Sequence, residues 1–295
     1  MPRAVGMRQV KAFGRHDVAE QARRLGLERV AEELASLAEW GARLEISQSS
    51  AEDHVPRSKI GGLPELPVAT PWPELDGRPA QFVAQIALSE AWFLDASWQR
   101  DASSILYFFW VRDRDRREVV GAHVFACAAS GPFEPAPLPA GLSERDLLPE
   151  STVALRRELT LPAWGHYEAA PLRRLGLRNS DRELYETLVE GVERAQGAHC
   201  PKDRLLGHPA EIPDDVLVEA SLMARLRSGR DDYGHAELEG ESEQWRVLLK
   251  IDLDLPSATA HYFCVPAADL RGGRYDRSQA FAHGSCDERD RSDAA

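Results

Sequence analysis

Two stretches of the chain present the same features in the same order. The first runs Lys59-Ile60-Gly61-Gly62-Leu63-Pro64, a Pro/Trp-rich loop, Gln81 to Leu88 and Ile105 to Val111. The second runs Leu206-Gly207-His208-Pro209, Trp245 to Leu253 and His261 to Val265. Matched positions lie 145 residues apart at Gly62 and Gly207, 165 at Gln85 and Lys250, and 155 at Tyr107 and Tyr262. A weaker third correspondence sets Ala122 to Cys127 against Phe281 to Cys286. A repeated order with drifting offsets is what duplication followed by changes in loop length leaves behind. The expected fold is therefore α+β: two related, mainly antiparallel β-sheet halves, with helices packed on the sheets. The first half is assigned to 47–170 and the second to 171–286, after a tail (1–16) and a helix (17–46), and before a second tail (287–295).

Local patterns fill in this frame. Gln81 to Leu88 and Ile105 to Val111 are nearly unbroken apolar runs, which predicts strands covered on both faces. Arg112 to Arg117 alternates in sign and reads as a solvated turn before a returning antiparallel strand, Glu118 to Cys127. Thr152 to Leu161 is a further strand. Near the N-terminus, Val18, Ala22, Leu25, Leu34 and Leu37 recur at helical steps, which predicts one amphipathic helix capped by Asp17, with Gly26 as a point of breakage. Helices are also expected over 181–196, capped by Asp181, and over 216–227, opened by Asp214. Residues 228–243 are acidic and read as a loop.

Composition narrows the partners. With 36 Lys+Arg against 48 Asp+Glu the formal net charge is −12, which repels nucleic-acid phosphates and anionic membrane surfaces. No apolar run reaches spanning length, and Met1 to Met7 lacks the apolar core of a secretory signal, so a cytoplasmic location is expected. The four cysteines are scattered and read as reduced thiols. No phosphate loop, nucleophile elbow or dinucleotide fingerprint occurs, so no cofactor is expected. His199, Cys200 and His208 are the densest metal-ligand cluster. Adjacent residues on a strand point to opposite faces, so no metal is expected there. His123 and His283 titrate near neutrality and are expected to face solvent.

With these residues in view the chain resembles the YwqG-like family of bacterial proteins. The resemblance rests on Lys59 to Pro64, Trp72-Pro73, Gln85-Ile86, Leu106 to Phe109, Leu206 to Pro209 and Trp245 to Asp252, and spans 47–286. His208 and Ala87 depart from the family pattern. The resemblance implies an internally repeated α+β architecture. It implies no reaction, so no catalytic residue follows from it.

Two site hypotheses follow from the residues. Lys59, Gly61, Gly62, Trp72 and Gln85 would form a shallow pocket for a peptide or small polar ligand, where a glycine-lined backbone meets a proline-stiffened aromatic loop. The same residues also fit a structural role in which Trp72 fills the core. Gln85, Lys250 and Asp252 are polar groups within apolar strands; they need partners, either across the halves or in a ligand. The leading functional expectation is a non-enzymatic binding module whose acidic surface meets a protein partner, for example a basic toxin. The competing expectation is a small-molecule-binding protein or enzyme with its site at the seam between the halves.

Overall fold

The computed structural model describes residues 13–48, 58–91, 93–94, 103–112, 119–130, 132–164, 169–197, 203–208, 216–230, 234–255 and 258–283. Two short helices, α1 (Arg15–Arg24) and α2 (Ala31–Leu37), lead into strand β1 (Glu39–Gln48). Short strands β2 (Lys59–Ile60), β3 (Glu65–Pro67), β4 (Glu74–Leu75) and β5 (Arg78–Pro79) precede the long strands β6 (Gln81–Ala87), β7 (Ser104–Arg112) and β8 (Val119–Ala128). After β9 (Phe133–Pro135) and β10 (Ser151–Thr160) come α3 (Ala169–Arg174) and α4 (Arg182–Ala195). The remainder is β11 (Arg204–Leu205), α5 (Val216–Arg227), α6 (His235–Ser242), β12 (Trp245–Leu255), β13 (Ala258–Pro266), α7 (Ala267–Arg271) and β14 (Gln279–His283).

Ten strands form one sheet in the order β14-β13-β12-β11-β1-β10-β2-β6-β7-β8, and its pairings are antiparallel. Its two edges, β14 and β8, come back into contact, so the sheet curls into a nearly closed barrel. Aromatic rings from distant strands meet inside it: Phe108 and Phe263 lie 5.2 Å apart, and Trp110 and His261 4.7 Å. Closing a strongly twisted sheet on itself buries one whole face and leaves little free edge, which explains why the runs read as apolar on both sides. The outer face is covered piecewise. Trp72 and Leu66 cover Phe82 and Phe109 on one side, and α5 covers Val247, Tyr262 and Phe281 on the other. α1, α2 and α4 pack together over Leu159 and Leu161.

The pairing registers run in parallel on the two sides of the sheet. Lys59 pairs with Gln85 and Gln85 with Tyr107; Arg204 pairs with Lys250 and Lys250 with Tyr262. Each long hairpin carries a bulge at the matching place, between Phe82 and Ala84 and between Val247 and Leu249. The third correspondence does not follow these registers: Tyr107 pairs with Phe125 and Tyr262 with Phe281, whereas the sequence order sets Phe281 against Ala122.

Other expectations need correction. The halves are not two sheets, because β1 and β10 pair along their length and join everything into one. The single helix over 17–46 is instead two helices and a strand. The chain turns at Gly26 (φ 88°), and from Trp40 the alternation of Trp40, Ala42, Leu44 and Ile46 with polar residues has the period of a strand. Asp17 does not precede the helix: it sits in the first turn and accepts from the Gly14 amide at 2.8 Å. Residues 228–243 include α6, held to α5 by Arg225, which donates to Glu241 (2.7 Å) and Glu237 (3.1 Å). His123 is half-buried rather than solvent-facing, and its ring meets Phe125 edge-on at 5.5 Å. The turn over 113–117, His199, Cys200, Asp214, Cys286 and the side chain of His283 lie outside the described residues. Cys127 and Cys264 are free thiols. No described helix is long and apolar enough to cross a membrane.

Candidate functional site

The residues singled out in the first half do gather, but around packing. Gly61 and Gly62 take left-handed angles (φ 69° and 67°), and a Cβ on Gly61 would stand 2.3 Å from the Pro149 carbonyl oxygen. Lys59 points to Glu150, with Nζ 3.1 Å from Oε2. Trp72 donates from Nε1 to the Ala80 carbonyl (2.8 Å) and meets Phe109 edge-on at 5.8 Å. Gln85 is buried and satisfied by Glu65: its Oε1 accepts from the Glu65 amide at 2.9 Å, and its Nε2 donates to Glu65 Oε2 at 3.0 Å. Tyr107 caps the group by donating to the Glu65 carbonyl, and burial holds its phenol above the usual range.

Lys250 and Asp252 lie far from these residues, since β11, β1, β10 and β2 separate β12 from β6. Lys250 is buried, with Nζ 3.8 Å from Asp252 Oδ1 and 6.0 Å from the Tyr262 ring centroid. The Asp252 amide donates to Asp203 Oδ1. Beside them Arg204 donates from Nε to Glu158 Oε1 at 2.6 Å, and both side chains are buried. A paired buried charge of this kind holds strands in register and offers nothing to solvent. None of the seven predicted residues lines either cavity described next.

A cleft of about 580 Å³ opens at the end of the curled sheet where β1 and β12 begin and β10, β11 and β13 finish. Its charged walls are Arg15, Arg157, Arg246 and Arg271, against one carboxylate, Glu39. Local contacts hold three of them. Arg15, the first residue of α1, donates from Nε (3.1 Å) and Nη2 (2.9 Å) to the Ala38 carbonyl. Arg157 stacks on Trp40, with its guanidinium carbon 3.6 Å from the ring centroid. Arg246 donates from Nη1 to the carbonyls of Glu243 (3.0 Å) and Trp245 (2.8 Å). Arg271 ends α7. None of the four makes an ion pair among the described residues, and guanidinium groups carry donors only. Trp40, Phe93, Leu206 and Leu270 supply the apolar floor, continuous with the core inside the sheet.

A second cavity of about 280 Å³ adjoins the first and shares Glu39, Gly207, Arg246 and Val247 with it. The shared wall is rigid. Gly207 (φ 71°) passes so close to β1 that a Cβ would lie 3.1 Å from Gly41 Cα and 2.7 Å from Thr160 Oγ1. Thr160 donates to the Glu39 carbonyl (2.9 Å) and accepts from the His208 amide (2.8 Å). The His208 ring lies with Nε2 2.9 Å from the Leu37 carbonyl and 4.0 Å from Glu39 Oε2. Nothing in the spacing of residues 15, 157, 246 and 271 connects them before the chain is folded.

Residues 58–281 match a family model described as a domain of unknown function (DUF1963). No curated protein matches the sequence.

Proposed function

The chain belongs to the DUF1963 family, to which no activity is assigned, and we propose that this member is a cytoplasmic, non-enzymatic protein that binds a small organic anion in the arginine-lined cleft. Within the family we group it with the YwqG-like proteins, on Lys59 to Pro64 and Leu206 to Pro209. One observation carries the functional reading: four arginines line one concave site, without ion pairs among the described residues, in a protein whose net charge is −12. Like charges held together cost free energy unless a counter-charge arrives, and arginine is the side chain best suited to carboxylate and phosphate. The cleft draws Arg157 and Phe93 from residues 47–170 and Arg246 and Arg271 from residues 171–286, which supports a small-molecule site between these two stretches.

Calorimetric titration of the full chain with citrate, inorganic phosphate and adenosine monophosphate tests this. Saturable binding of at least one anion is expected. Arg157→Ala or Arg246→Ala weakens it about tenfold, whereas Arg182→Ala, on the exposed surface of α4, leaves it unchanged. Absence of saturable binding, or equal weakening by all three variants, contradicts the reading.

The net charge of −12 supports a second reading, in which an acidic face recognises a basic protein partner. That complex would dissociate with added salt and be insensitive to Arg157→Ala. The parallel registers and matched bulges support descent of the two sides of the sheet from one duplicated unit. Superposition of β2-β6-β7-β8 on β11-β12-β13-β14 tests that ancestry: common Cα paths are expected, and divergent twist and stagger would refute it.

A further inference from the structure

The arginine cleft and its neighbour are adjoining chambers with a common wall, and their chemistries are complementary. The first presents donors: Arg15, Arg157, Arg246 and Arg271 have no acceptor atoms. The second, apart from Arg246 in the common wall, presents acceptors. Its Arg174 and Glu243 side chains are paired with each other, which leaves Glu39 as the carboxylate available to a ligand. The His208 ring, donating from Nε2 to the Leu37 carbonyl, keeps Nδ1 as an acceptor. Trp245 adds an aromatic wall to the same chamber, a surface that favours cations. Glu39, the residue between the chambers, carries the single negative charge of the first and, in the second, the carboxylate that no arginine holds.

Building on the anion-binding reading above, we infer that the two chambers form one bipolar site for a small molecule that carries an anionic group tethered to an ammonium group. The carboxylate or phosphate is held by the arginines. The ammonium is held by Glu39 and His208 beside Trp245. Because both chambers are walled by Glu39 and Arg246, the two charges of the ligand are separated by a few bonds only. An amino acid and an amino-alkyl phosphate share this chemistry.

Two probe pairs, each differing by one ammonium group, test the inference on the full chain by calorimetry: L-glutamate with glutarate, and O-phosphoethanolamine with ethyl phosphate. At least one ammonium-bearing probe is expected to bind about tenfold more tightly than its partner, the scale of one charge-assisted hydrogen bond. Glu39→Gln is expected to erase that preference, with the amine-free probe bound at least as tightly as before because the cleft loses its one carboxylate. This variant should fold normally, because among the described residues only the His208 ring, 4.0 Å away, lies within ion-pair distance of the Glu39 side chain, and the structural hydrogen bond of Glu39 runs through its carbonyl. Equal affinity within both pairs overturns the bipolar site and leaves the anion reading standing. A preference that survives Glu39→Gln overturns the assignment to Glu39. If no probe of either pair binds and citrate and phosphate also fail, the anion reading falls and this inference falls with it.

Discussion

His261 sits on the inner face of the curled sheet, fully buried against Trp110, and no hydrogen bond of good geometry reaches either ring nitrogen among the described residues. Burial first, then the charge of Arg112, lowers its pKa from 6.5 to about 4, with the Ile251 main chain only partly opposing. The folded value lies below the unfolded one, so the unfolded chain binds more protons between these two limits. The contribution to stability is therefore complete above pH 6.5 and is lost as pH falls towards about 4, by on the order of 3 kcal/mol. Urea denaturation at pH 7 and pH 4.5 should show that loss, and His261→Leu should remove it; an unchanged pH slope in the variant would refute the assignment. Glu45 and Glu241, whose carboxyls are held below the usual range by hydrogen bonds from Arg156 and Arg225, lose their contributions at lower pH and do not mask the effect. At this scale Gln85 and Lys250 stand out as polar residues within apolar strands, and their burial with polar partners follows from the rule that buried polar groups are paired. His261 does not stand out in this way, because a histidine inside an apolar strand looks the same in sequence whether it faces the core or the solvent.

Among the elements, the glycine turns divide into two kinds. At Gly61 both the angle and the space forbid a side chain, whereas at Gly77 (φ 70°) only the angle does, with nothing within 4 Å. Gly77→Ala should cost about 1 kcal/mol, and Gly61→Ala markedly more, measured as unfolding free energies; equal costs would mean that the contact with Pro149 is readily relieved. Trp72→Ala removes the hydrogen bond to Ala80 and the ring contact with Phe109, and should cost about 2–4 kcal/mol. Loss of binding at unchanged stability would instead make the Trp72 loop a ligand site. The long strands could be read because apolar runs of seven to nine residues have few alternatives. β1 was missed because its apolar residues continue a helical period begun upstream. The shift from steps of three and four to steps of two begins at Trp40 and is overwritten by the alanines before it.

For the whole molecule, the ten-stranded order places β1 and β10 at the centre and brings one end of five strands together around a single cleft. Charge is distributed against the average: the chain is strongly acidic, yet this end is arginine-rich. Composition alone pointed away from anions, since a net charge sums over the surface and hides a local excess of opposite sign. The most direct test of the account follows the arginine side chains themselves. In a titration of 15N-labelled protein with citrate, the Nε–Hε resonances of Arg15, Arg157, Arg246 and Arg271 should shift together along one saturating curve, while those of Arg182 and Arg194 on α4 stay in place. Shifts spread evenly over the arginines, or none at these four, would contradict it.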